Sequence, residues 1–432
     1  MENLLLTTEL SRTLYESVAS LPIIDFHNHL PIRDIVENRQ YCDLTELWIA
    51  SDPYKHRAMR ICGVPERLIT GQEATPWERF IAWANTVPQL LGNPLWHWTR
   101  LELLRVFGIE EELTPDTAEA IWKRANELLS TPAFRCRDIL DRFNIEYSAP
   151  CSTLFSDEVE LLARNNVPNS LSISLRGDDL LSPTPIMLTQ LEARLDRFHA
   201  AGCRIADHAL DAGFHYEHDQ GGDEAILAAP RNAESVRVAS AMLRRLGAAY
   251  ARRGWILQLH IGALRKTSER LRRVAGPAGG YAGMGSPCDI ASISALLNDL
   301  ERSGLPRTIL YTLNPADHAV LAVMAGAFPG DGVRGKVQLG PAWWLCDHIH
   351  GMRECFETLA AYGVLSVFNG MTTDSRSILS FVRHEYFRRT LCAWLAEKAA
   401  KGEMPAEPTR LAELARKICY ENAKALSGDV TK

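Results

Sequence analysis

The sequence lacks a Cys-x-x-Cys pair, a Gly-x-Gly-x-x-Gly turn directly behind any strand-like run, and any apolar run near the roughly 20 residues that span a bilayer. Each absence excludes something. Ten cysteines scattered from Cys42 to Cys419 without paired spacing leave no zinc knuckle, and in a long chain they point to reduced thiols rather than disulfides. With no glycine fingerprint following a strand, the usual functional support for a doubly wound dinucleotide-binding sheet is removed. Positive charge is not in excess either. With a formal net charge of −6 and a pI near 6.1, the chain has no general attraction to nucleic acid or to an anionic membrane. An anionic ligand must therefore be held by local arginines. The opening Met1-Glu2-Asn3-Leu4 has no basic region of the kind that starts a secretory signal, so the expected location is the cytoplasm.

What is present is an ordinary α/β composition: 432 residues, 46% hydrophobic and 23% charged, enough to bury a large core. Apolar runs read as strands at residues 23–29, 144–150, 170–176, 203–208, 255–261, 307–313, 335–341 and 365–373. The stretches between them carry helical periodicity. Met242, Leu243, Leu246 and Tyr250 share one face, as do Ile293, Leu296, Leu297 and Leu300. Eight strands alternating with helices predict a (β/α)₈ TIM-type barrel. Residues 30–143 are too many for a simple loop and helix. Rich in Trp (Trp48, Trp77, Trp83, Trp96, Trp98, Trp122) and poor in strand signals, they are expected to form a helical subdomain inserted after the first strand. The barrel proper is then 1–29 and 144–432. In such barrels the loops after the strands carry the active site, so the insertion is expected to cover it. The glycine-rich stretch 276–285 reads as a mobile loop, since it lacks the Lys-Ser/Thr of a phosphate cradle.

Polar residues at strand ends supply the chemistry. The first strand ends Asp25-Phe26-His27-Asn28-His29. Side chains alternate along a strand, so His27 and His29 face the same way and can close on one divalent ion. The last predicted strand runs into Asp374-Ser375-Arg376, and two His with one Asp suit a single divalent ion, zinc in the first instance. Arg176, Asp207, His208, His260, Trp343 and Trp344 stand at other strand ends. His260 reads as a further ligand, a substrate contact or a satisfied core histidine. Asp207 and Arg176 read either as site residues or as buried charges serving as ion-pair partners.

Several blocks together resemble the uronate (glucuronate) isomerase family of the amidohydrolase superfamily. They are Asp25-Phe26-His27-Asn28-His29-Leu30, Tyr54-Lys55-His56-Arg57, Gly92-Asn93-Pro94-Leu95-Trp96-His97-Trp98, Ala206-Asp207-His208, Gln258-Leu259-His260-Ile261-Gly262, Gly340-Pro341-Ala342-Trp343-Trp344, Thr373-Asp374-Ser375-Arg376 and Arg383-His384-Glu385-Tyr386. The resemblance spans nearly the whole chain. It implies aldose–ketose isomerisation of a hexuronic acid, of the glucuronate–fructuronate or galacturonate–tagaturonate type. It further implies metal ligation by His27, His29 and Asp374, a proton-shuttling role for Tyr54, and substrate contacts from Arg376. Isomerisation needs a base for the C2 proton, which Asp374 can be, and a bidentate arginine for the substrate carboxylate, which Arg176 or Arg376 can be. His260, Trp343, Trp344, Asp207 and His208 are the remaining expected substrate contacts.

The chain departs from the family pattern at four places. Pro53-Tyr54-Lys55-His56 stands where His-Tyr-Lys-Trp is usual, and Cys151-Ser152-Thr153-Leu154 replaces a Thr-Asp-Asp-Pro-like turn. Gly177 replaces a Pro, and Leu345-Cys346-Asp347 replaces Phe-Asn-Asp. A mononuclear hydrolase, such as a lactonase or amidase acting on a related sugar acid, is the main competing expectation, followed by a non-catalytic sugar-acid sensor. The fourth strand offers no bridging Lys, which argues against a two-metal hydrolase. The expected partner is a small sugar acid, with homo-oligomerisation left open.

Overall fold

The computed structural model describes residues 3–165, 167–168, 170–218 and 235–427. The chain divides into two compact units. One comprises Met1–Glu146, Arg265–Gly283 and Met371–Arg416; the other comprises Tyr147–Leu264, Met284–Gly370 and Lys417–Lys432. The ten cysteines, all among the described residues, are joined by no disulfide. Among the described residues no helix is long and apolar enough to cross a membrane.

In the second unit, parallel strands follow one another in chain order. They are β2 (Ile145–Thr153, most of which lies here), β3 (Ser174–Arg176), β4 (Ile205–Leu210), β5 (Ile256–Ile261), β6 (Arg307–Thr312) and β7 (Val337–Leu339). Helices return the chain between them, including Pro185–Ala200, Val236–Arg252 and Ile290–Ser303. The two expected apolar faces are buried: Met242, Leu243, Leu246 and Tyr250 on one helix, Ile293, Leu296, Leu297 and Leu300 on another. Strand order without reversal leaves no switch point of the doubly wound kind. The register sets Arg176 opposite Asp207, Asp207 opposite Gln258, and His260 opposite Tyr311, so these side chains share one face of the sheet.

The first unit holds β1 (Ile23–Asn28), buried throughout, whose Ile23 amide donates to the Asn144 carbonyl at 3.0 Å. Residues 30–143 form helices, among them Leu44–Trp48, Pro53–Ile61, Pro76–Thr86, Pro94–Phe107 and Ala118–Leu129, with no strand. Helix Val382–Ala400 is buried around nearly its whole circumference, Arg383, His384, Arg388 and Arg389 included. Its Arg388 fixes the approach to β1, donating to the Leu21 and Pro22 carbonyls at 2.8 and 2.9 Å. The glycine-rich stretch is held rather than loose: Arg57 Nη1 donates to the Ala282 carbonyl at 3.0 Å, and Arg60 bonds the Gly279 carbonyl. Gly280, at φ +78°, lies so close to the Pro53 carbonyl that a Cβ there would come within 2.2 Å of the oxygen.

One expected strand is corrected. Residues 365–373 are not a ladder strand; Leu365–Val367 is a 3₁₀ turn and the rest is irregular. Gly370 at φ +75° and Asp374 at φ 49° leave extended geometry. The segment's donors go to side chains instead. The Thr373 amide donates to the Asp25 carboxylate at 2.7 Å, and the Thr372 hydroxyl donates to it at 3.0 Å. Two backbone bonds lie alongside β1 just past the segment, Asp374 N to the His27 carbonyl at 3.1 Å and His29 N to the Ser375 carbonyl at 2.8 Å.

Candidate active site

β1 and the segment beside it bring the expected metal set together. His27 Nε2 and His29 Nε2 lie 3.2 and 3.0 Å from the same oxygen, Asp374 Oδ1. The imidazole centroids are 5.2 Å apart, with the rings nearly perpendicular. His27 is buried, while His29 and Asp374 keep a small exposed edge. These donors suit a small divalent ion. Zinc bonds of about 2.0–2.2 Å in tetrahedral array set ligand atoms roughly 3.3 Å apart, close to the two separations found. Burial pushes the Asp374 carboxyl up, but hydrogen bonds from His27 and His29 and their charges more than offset it, leaving it well below the usual carboxylate range. Asp374 is thus ionised at neutral pH.

Asp25 organises this cluster. Completely buried, its carboxylate accepts from Asn28 Nδ2 at 2.8 Å, Thr372 Oγ1 at 3.0 Å, and the Thr373 amide and hydroxyl at 2.7 Å each. His384 Nε2 lies 3.4 Å away. Burial raises this carboxyl, and the His384 and Thr373 bonds bring it below its ordinary value. Sequence reading had no role for Asp25, although it begins the most informative motif; its spacing from His27 put it on the same strand face as the ligands.

Tyr54 occupies the first turn of helix Pro53–Ile61, whose N-terminus Asp52 caps by accepting from the Tyr54 and Lys55 amides at 2.9 and 3.2 Å. Lys55 is buried between Asp52, at 2.6 Å, and Glu102, at 3.5 Å. The Tyr54 ring meets Trp98 edge to face and Arg383 over its face, and Arg383 donates to the Thr373 carbonyl next to Asp374. Arg376 follows Asp374 by two residues and is partly exposed. His56, one of the departures, is a buried partner of the Ile49 carbonyl at 2.9 Å.

The second unit gathers the other expected residues. Arg176 is fixed by Asp178, whose Oδ2 accepts from its Nε and Nη2 at 2.9 Å each, while Oδ1 accepts from the Ala209 amide at 2.7 Å. Burial works against its charge, and the Asp207 and Asp178 carboxylates more than restore it, so the guanidinium is held firmly protonated. His260 stacks on Tyr311 at 4.6 Å and tilts against Trp343 at 4.6 Å, with Nδ1 3.8 Å from Asp207. Trp344 lies beside Trp343 and is partly exposed.

His208 does not join them. The strand turns it to the opposite face from Asp207, where its Nε2 meets the Tyr250 hydroxyl at 2.9 Å. It also explains Gly177. A Cβ at position 177 would lie 2.2 Å from His208 Cε1, so any larger residue there collides with the imidazole.

The glucuronate isomerase family model matches residues 1–168 and 169–426. The chain belongs to that family. Uronate isomerases of two Salmonella strains, Salmonella newport SL254 and Salmonella enteritidis PT4, are each 41% identical over 98% of this chain and 97% of their own. Among solved structures, the uronate isomerase of Thermotoga maritima is 28% identical with a TM-score of 0.88, covering 99% of both chains. The glucuronate isomerase of Caulobacter crescentus gives the same TM-score at 24% identity, covering 99% of this chain and 96% of that one, a likeness of fold. The (β/α)₈ class expected from sequence stands. At two of the departures the local setting is plain: the His208 ring fills the space a side chain at 177 would take, and the His56 ring bonds the Ile49 carbonyl.

Proposed function

We propose that this protein interconverts the aldose and ketose forms of a hexuronic acid, D-glucuronate with D-fructuronate or D-galacturonate with D-tagaturonate. Membership of the glucuronate isomerase family supports this class of reaction over a mononuclear hydrolase. The observation that carries the mechanism is the convergence of two imidazoles on one ionised carboxylate, His27 and His29 on Asp374.

In this reading His27, His29 and Asp374 hold one divalent ion, zinc by its preference for this donor set. When bound, the ion supplies positive charge beside the reacting carbons. Asp374 lifts the proton from C2 of the aldose and returns it to C1 of the ketose. It is suited to this because it is ionised and fixed by its backbone bond to His27 and by the threonines that hang from Asp25. Tyr54 moves the proton between O1 and O2 in the cis-enediol. Arg376 neutralises developing negative charge, and Arg176, pre-oriented by Asp178, takes the substrate carboxylate as a planar fork. Asp207, His260, Trp343 and Trp344 contact the sugar. His208, turned toward Tyr250, packs behind the sheet and is assigned no substrate contact.

Residues 30–143 form the helical subdomain that covers the site in this reading, with Tyr54 as its contribution to the chemistry. The protein works in the cytoplasm on a small anionic substrate. Incubating purified protein with a panel of hexuronates and their keto isomers tests the proposal. Conversion of at least one pair supports it; release of a hydrolysis product without isomerisation would remove it.

A further inference from the structure

Arg383 stands in the first turn of helix Val382–Ala400 and is only 1% exposed, an uncommon place for a guanidinium. Its neighbours show what it does there. The guanidinium carbon lies 4.1 Å from the centroid of Trp98 and 4.6 Å from that of Tyr54. Its Nη1 donates to the Thr373 carbonyl at 3.3 Å, one residue before Asp374. The two rings also brace each other, meeting edge to face at 5.6 Å, and Trp98 meets Tyr386 of the Arg383 helix at 6.0 Å. Asp52, the cap of the Tyr54 helix, answers the charge. Burial pushes its carboxyl up, and the Lys55 and Arg383 charges bring it below its ordinary value.

A cation wanted only to balance Asp52 need not be planar, and Lys55 already lies 2.6 Å from that carboxylate. A planar guanidinium can lie over two aromatic faces and still donate in its own plane, which an ammonium cannot do. We propose that Arg383 is a positioning residue that locks the Tyr54 ring to the backbone carrying Asp374, so that the two groups keep one mutual geometry through the reaction. The proposal rests on the roles given above to Tyr54 and Asp374. It adds that their alignment is set by a side chain acting through the Tyr54 ring and the Thr373 carbonyl. Misplacement of a reacting group by about 1 Å costs on the order of a hundredfold in rate, so the lock should be felt in kcat.

The test compares R383K and R383M in the wild-type enzyme and in Tyr54→Phe, with the substrate pair found in the hexuronate panel. It also places 3-fluorotyrosine at position 54 and records its ¹⁹F spectrum. We expect either substitution to lower kcat by roughly 30- to 100-fold while KM changes by less than about threefold. In the Tyr54→Phe background the further loss should shrink to under about fivefold, because the hydroxyl being positioned is already gone. The fluorine line, single and narrow in the wild type, should broaden or split. R383K keeps the charge and carries the test should R383M fail to fold. Equal kcat losses in both backgrounds, or an unchanged kcat with an unchanged fluorine line, would overturn the proposal. If Tyr54→Phe itself keeps wild-type kcat, the shuttle role of Tyr54 falls, and the fluorine line alone decides the lock: broadened supports it, unchanged ends it.

Discussion

His208 makes a sharp prediction about stability against pH. An imidazole in an unfolded chain titrates near 6.5; burial pushes His208 down to about 4, against smaller opposing pulls from the Asp178 carboxylate and the Gly177 backbone. Because the folded value is the lower one, the unfolded state binds more protons between these limits. Stability is therefore fully present above about pH 6.5 and is lost as pH falls toward 4, below which the loss levels off. The whole fall from 6.5 to about 4 corresponds to about 3 kcal/mol, of which about 2 kcal/mol falls between pH 7.5 and pH 5. Other buried histidines, among them His56, His318 and His384, are also pushed down by burial, so the wild-type profile alone does not isolate this one. The comparison is with His208→Gln, which retains a polar group for the Tyr250 hydroxyl but no titration. Urea midpoints followed by tryptophan fluorescence suit the assay, since Trp255 stacks on Tyr250 at 5.6 Å. The variant should lose about 2 kcal/mol less than the wild type between pH 7.5 and pH 5. Parallel pH profiles would refute the reasoning and mean that His208 is as easily protonated in the folded protein as in the unfolded chain.

Gly177→Ala should destabilise by about 1–3 kcal/mol through its clash with the His208 ring, and the cost should shrink in a His208→Ala background; equal costs in urea unfolding would mean the contact is not the cause. Asp374→Asn should lower kcat by on the order of 10² to 10⁴ with the fold retained by circular dichroism, because an amide cannot accept the C2 proton; activity within about tenfold of wild type would remove the base assignment. Protein purified from zinc-supplemented medium should carry about one divalent ion per chain by plasma mass spectrometry, and His27→Ala/His29→Ala should lose it; an unchanged metal content would place the ion elsewhere.

Much of this architecture is legible in the sequence. The strands of the second unit come from apolar runs bounded by helical periodicity, and their positions agree to within a few residues because both faces of a parallel strand are buried. The clustering of His27, His29 and Asp374 is legible for a related reason: His27 and His29 alternate on one strand, and Asp374 ends a comparable apolar run. The misreading of residues 365–373 has a physical source. Apolarity there marks burial, but Thr372 and Thr373 spend their donors on the Asp25 carboxylate, and no pattern of hydropathy reveals a side chain that substitutes for a ladder. Arg383, His384 and Arg388 had no assigned role, although Arg383-His384-Glu385-Tyr386 is one of the blocks that carry the resemblance. A run of charged residues reads as a solvated face, whereas here each finds a buried aromatic, carboxylate or carbonyl partner. His208 shows the limit of reading strand ends as one set, since its neighbour Asp207 faces His260 and it faces a helix.

The central claim is that a carbon-bound proton is moved by a base while no bond to water is made. Running the reaction on D-glucuronate, or on whichever hexuronate is converted, in D₂O and separately in ¹⁸O-labelled water tests this directly. NMR and mass spectrometry of the product should show deuterium at C1 of the ketose or C2 of the recovered aldose, at least in part, and no solvent oxygen in the carboxylate. A cleaved or ring-opened product carrying ¹⁸O in a new carboxylate would contradict the account.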